Sequence, residues 1–137
     1  MRTNFNHLDA FTRQYIATAL WSTNDESTPS GGVPLDESYG PDDISDDTLA
    51  AMVADCERFV RENAADITQA VAAYPNRNDD TGTLGTAGHD FFLTRNSHGC
   101  GYWDGDLPDQ LGERLTAASE RFGEVNLYVG DDGRIYH

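Results

Sequence analysis

From Leu49 through Met52, Val53, Cys56, Phe59, Val60, Asn63, Ile67, Ala70 and Val71, one stripe recurs at helical spacing, and Pro75 closes it. That periodicity predicts helix from Ser45 to about Ala73, with the stripe as its core face and Asp55, Glu57, Glu62 and Asp66 pointing elsewhere. Ser45 can cap its first turn, where Asp46 and Asp47 face the positive end of the helix dipole. Asn63 and the Ala64-Ala65 pair mark the place for a break.

The remaining chain is read around this element. Leu8, Phe11, Tyr15, Ile16, Ala19 and Leu20 predict a helix over about His7 to Ser22, with Asn6 as its cap. Residues 23–44 carry Pro29, Gly31, Gly32, Pro34, Gly40 and Pro41 without periodicity, so they read as a loop. A loop of that length in a compact domain is a functional excursion or a mobile segment. After a polar loop over 76–88, His89–Arg95 and Gly99–Trp103 read as two strands joined by turn-forming residues 96–99. Pro108 and Asp109 start a helix whose face is Leu111, Leu115, Ala118 and Phe122, with Gly123 at its stop. Residues 125–129 and 134–136 then pair across Gly130-Asp131-Asp132-Gly133.

The expected fold is therefore α+β: three helices packed on a four-stranded, mainly antiparallel sheet made of two hairpins. A single acidic domain over residues 1–137 is expected, helical over about 7–74 and hairpin-helix-hairpin over about 88–137. A chain of 137 residues is large enough to bury about two-thirds of its unfolded surface.

Charge limits the partners. The chain has 24 Asp and Glu against 9 bases, all arginine, for a formal net charge of -15. Such a surface repels nucleic acid and anionic membranes and attracts basic patches on proteins. No apolar run approaches the roughly 20 residues of a membrane span, and the N-terminus leads into an amphipathic pattern. A cytoplasmic chain is expected. Its two cysteines, Cys56 and Cys100, then need no disulfide.

Reactive side chains concentrate between Gly88 and Asp104. His98 and Cys100, two apart, would share a face of an extended strand, where a histidine can lower a thiol's pKa. An orienting third group is not evident, and the alternative is a small residue in a tight hairpin. His89, Asp90, His98, Asp104 and Asp106 could instead ligate a metal, although no zinc or calcium spacing is present. Those aspartates equally serve turns and the start of the next helix. Gly82-x-x-Gly85-x-x-Gly88 lacks the Lys-Ser/Thr of a phosphate loop. No cofactor is expected.

Acidity supports a different class. Duplex DNA carries a negative charge about every 1.7 Å, and its binding proteins set Arg and Lys against that array. Asp36, Glu37, Asp42, Asp43, Asp46 and Asp47 place six carboxylates within twelve residues, a candidate DNA-mimicking face. Generic solubilisation is the plainer reading of the same composition.

The segments His7–Ile16, Ala19–Ser22, Gly88–Asn96 and Leu127–Gly133, with Leu-Thr-Arg-Asn-x-His-Gly-x-Gly-aromatic-Trp-Asp over Leu93 to Asp104, resemble a family of small acidic proteins of bacteriophages, prophages and bacterial mobile elements. The resemblance implies a phage-derived accessory protein in the host cytoplasm, binding and inhibiting a host protein such as a CRISPR or restriction component. The acidic stretch would be its electrostatic face, and Arg95, His98, Tyr102 and Trp103 a shape-specific contact, since Tyr, Trp and Arg favour interface hot spots. Tyr102 and Trp103 could equally pack in the core. The rival is a small metal-dependent or thiol enzyme centred on the His89–Asp104 hairpin, and a structural or replication-associated phage component is a third class.

Overall fold

Asp9, rather than Asn6, opens the first helix: its carboxylate accepts from the Thr12 amide at 2.8 Å. In the computed structural model, which describes residues 5–27, 32–76, 79–97, 101–102 and 106–137, this helix is α1, Ala10–Ser22. A 3-10 turn over Phe5–His7 precedes it. The long apolar stripe folds as two helices, α2 (Asp46–Glu62) and α3 (Ala64–Ala73). Asn63 makes the break by leaving helical geometry, and its side-chain amide donates back to the Phe59 carbonyl at 2.9 Å. The Ser45 hydroxyl caps α2 by accepting from the Thr48 amide.

The second half departs from the expected sheet. His89–Arg95 is the C-terminal half of a helix, α4, Gly82–Arg95, rather than a strand. Every residue from Asp90 to Arg95 is buried, so the segment shows no one-sided stripe, and a short aromatic run cannot be assigned to strand or helix by periodicity. The glycines expected in a polar loop lie inside this helix. A Cβ on Gly88 would collide with the Phe11 carbonyl oxygen, so glycine there lets α4 lie directly against α1. Asp79 gathers the first turn by accepting from the Thr81 and Gly82 amides at 3.0 and 3.2 Å.

Helix α5 spans Asp109–Glu120, and Gly123 beyond it takes a φ of 75°, as a helix stop requires. The described strands are two short antiparallel pairs. Strand β1 (Asn24–Asp25) meets β2 (Val33–Pro34) inside the segment read as a loop. Strand β3 (Tyr128–Val129) meets β4 (Ile135–Tyr136), with Val129 opposite Ile135, as the second hairpin predicted. Among the described residues the three-helix, four-stranded arrangement is thereby replaced by five α-helices with α4 at their centre, and two separate two-stranded sheets. No sheet face among the described residues is broad enough for helices to cover.

The core is aromatic. Phe59 and Phe91 stack with ring centroids 4.0 Å apart, and Phe11, Tyr15, Phe92, Tyr102 and Phe122 surround them. Helix α4 packs on α1, α3 and α5. Among the described residues no helix is long and apolar enough to cross a membrane.

Candidate functional site

Two buried plugs fix the acidic segment. Leu35 and Ile44 are both enclosed in the core, and the Leu35 amide donates to the Thr23 carbonyl at 2.8 Å. Between them the chain makes two 3-10 turns, Leu35–Glu37 and Pro41–Asp43. The Asp43 carboxylate closes the second by accepting from the Gly40 amide at 2.8 Å. At the far end the Ser45 amide donates to the Ile135 carbonyl, tying the start of α2 to β4. Asp36, Glu37, Asp42, Asp46 and Asp47 are exposed along this strap, while Asp43 is half-buried. Arg134 reaches its end, 3.9 Å from Asp46, and donates to the Ile44 carbonyl. The strap's acids therefore fall into two kinds. Asp43 serves the turn, whereas Asp36, Glu37, Asp42 and Asp47 project from it.

Arg95, expected as a surface contact, and Tyr102, read as either a contact or a core residue, both lie in the interior. Arg95 is 4% exposed. Its Nε donates to the Gly123 carbonyl, Nη2 to the Phe122 carbonyl, and Nη1 to both the Tyr15 hydroxyl and the Asp55 carboxylate at 2.8 Å. The guanidinium also lies over the Phe91 and Phe122 rings. These bonds carry the α4 C-terminus onto α1, α2 and the turn after α5, and they leave a partner little to bind. Tyr102 is 1% exposed, donating from its hydroxyl to the Ala87 carbonyl and from its amide to the Thr94 hydroxyl. Burial pushes its phenol well above the ordinary range, and the Asp90 carboxylate adds to the shift. His98, Cys100, Trp103 and Asp104 lie outside the described residues.

The proposed metal and thiol groups are dispersed where they are described. His89 faces α1, with its Nδ1 2.7 Å from the Thr18 hydroxyl. Asp90, one residue on, is buried on another side of α4 and accepts from the Tyr74 hydroxyl at 2.8 Å. Asp106 is exposed. Among the described residues no three His, Cys, Asp or Glu side chains group closely enough to hold a metal ion. Cys56 is a free, fully buried thiol whose pKa is driven up by desolvation, the opposite of an activated nucleophile.

One concave feature adjoins the strap. Gln14, Ala17, Thr18 and Trp21 from α1, His89 from α4 and Asp36 from the first 3-10 turn line an open cleft of about 290 Å³. Trp21 is 55% exposed, unusual for so large an apolar side chain. Sequence reasoning placed Trp21 on a helix and gave it no role, because nothing local distinguishes an exposed indole from a buried one. No protein-family model, curated protein or solved structure matches the chain.

Proposed function

We propose that the chain is a non-enzymatic binding protein that presents its acidic strap to the basic, nucleic-acid-binding surface of another protein and so competes with nucleic acid. The single observation that carries this reading is the anchoring of the acidic strap, by buried Leu35 and Ile44 and by the capped start of α2, which presents Asp36, Glu37, Asp42 and Asp47 on fixed backbone. Preorganised charge costs less ordering on binding than charge on a free loop. The basic residues reinforce the sign of the surface. Arg13 pairs with Asp80, Arg58 with Glu62, Arg95 with Asp55 and Arg114 with Asp66, so much of the positive charge is spent within the molecule.

In this proposal the chain is an accessory protein of a phage or mobile element, acting in the bacterial cytoplasm on a defence component such as a CRISPR or restriction protein. The test is capture from bacterial lysate at low salt, with elution by a salt gradient. A nucleic-acid-binding partner whose duplex-DNA affinity falls when the chain is added, and which D36N/E37Q/D42N/D47N fails to capture, supports the reading. Equal capture by that variant, or a partner whose DNA binding is untouched, overturns it.

A further inference from the structure

We propose that the cleft between α1 and α4 is an anchor site for one arginine side chain of the partner protein. The proposal rests on the basic-partner reading above and names the contact that gives it shape. Trp21, Thr18 and Gln14 lie on one face of α1 at helical spacing, and all three border the cleft. Their positions are fixed in series. The Gln14 side-chain amide donates to the Thr18 hydroxyl at 3.3 Å, and that hydroxyl meets His89 Nδ1 at 2.7 Å. The His89 ring in turn lies against the Trp21 indole, with centroids 6.0 Å apart and planes inclined by 36°. An exposed indole is thus held beside a polar floor, with Asp36 bordering the same space.

Two complementary attractions select the occupant. The face of an indole attracts a cation within about 6 Å, most strongly among the aromatic side chains. A carboxylate accepts two parallel bonds from a guanidinium. Arginine satisfies both at once, because its planar fork stacks and donates together, whereas an ammonium is a compact, strongly hydrated point charge. Among the described residues no arginine lines the cleft. An anionic ligand such as a phosphate would meet Asp36 and a chain of net charge -15. A neutral aromatic would leave the carboxylate unused. The cleft also adjoins the strap through Asp36 itself, so one basic surface can engage both.

The test needs no identified partner. The indole N–H resonance of Trp21 is assigned by its loss in W21F, then followed while acetyl-Gly-Arg-Gly-amide is added to the full chain. The expected result is a saturable shift that the citrulline peptide, a neutral isostere, reproduces at least tenfold more weakly, with the lysine peptide also weaker. D36N should weaken the arginine response by about tenfold, while D42N/D47N, outside the cleft, changes it less than twofold. An unmoved Trp21 resonance, or equal responses to the arginine, lysine and citrulline peptides, overturns the proposal. A failed peptide titration beside intact, strap-dependent capture from lysate discards the anchor site alone. A positive titration beside failed capture discards the wider reading instead.

Discussion

Arg95 joins three helices and the turn after α5: its guanidinium, from α4, bonds Tyr15, Asp55, Phe122 and Gly123 from within the core. Truncation leaves two carbonyls, a phenol and a carboxylate short of a donor. R95A should cost about 3–5 kcal/mol, the range for breaking a buried pair by removing one partner, measured by urea unfolding. R95K should recover only part of that, because an ammonium lacks the fork. R58A, which breaks the exposed pair with Glu62, should cost under about 1 kcal/mol, and an R95A loss no larger would mean the buried network contributes little. Buried acids predict a second behaviour. Burial raises the thiol of Cys56 and the phenols of Tyr15 and Tyr102. The folded state therefore keeps protons that the unfolded chain releases. Stability is intact below the unfolded pKa values and falls as pH climbs past them, starting near 8.5 for the thiol and about 10 for the phenols, by about 1.4 kcal/mol per pH unit for each group. In unfolding curves across pH, C56A should move the onset of that decline from about 8.5 to about 10. The sequence marked Arg95 as distinctive but not its role. Its partners lie 27 to 80 residues away, and only the fold brings them together.

Helix α4 is the element on which sequence and structure part. The elements with one solvent face were readable: α2 and α3 with their break at Asn63, α5 with its stop at Gly123, and the turn of the last hairpin all follow from periodicity and turn residues. Helix α4 has no such face over Asp90–Arg95, and its aromatic residues and neighbouring turn formers imitate a hairpin. Its glycines were the available signal. They read as loop or phosphate-binding spacing until Gly88 is placed against the Phe11 carbonyl. Two effects of G88A compete there. Alanine in a helix interior gains about 1 kcal/mol over glycine, while forcing a methyl group into a close-packed contact costs about 1–3 kcal/mol or more. The obstacle is backbone, which cannot rotate aside, so the collision should win. The expected result is a net loss of about 2 kcal/mol in thermal unfolding, and a stabilised G88A would show that α1 and α4 can separate without penalty.

For the whole molecule, charge opposes the fold it decorates. In water, like charges 10 Å apart repel by roughly 0.4 kcal/mol before screening, and a net charge of -15 on 15.1 kDa multiplies such terms. The exposed ion pairs of Arg13, Arg58 and Arg114 are each worth about 0–1 kcal/mol and weaken with the same salt. Repulsion should dominate, so the unfolding midpoint should rise as sodium chloride increases from about 10 mM to about 0.15 M, where the Debye length falls from about 30 Å to about 8 Å. D36N/E37Q/D42N should then be more stable than the parent at low salt and less sensitive to added salt. Asp47 is left out of that set because it sits in the first turn of α2, where the dipole returns about 0.3–1 kcal/mol and offsets the repulsion it causes. A midpoint that falls with salt would mean the ion pairs outweigh the excess acid, and the strap would then be a stabilising feature. If neutralisation stabilises the fold while the variant stays as soluble as the parent, solubility does not explain why Asp36, Glu37 and Asp42 stand on an anchored strap. Loss of partner capture by that same stable, soluble variant would assign those charges to binding.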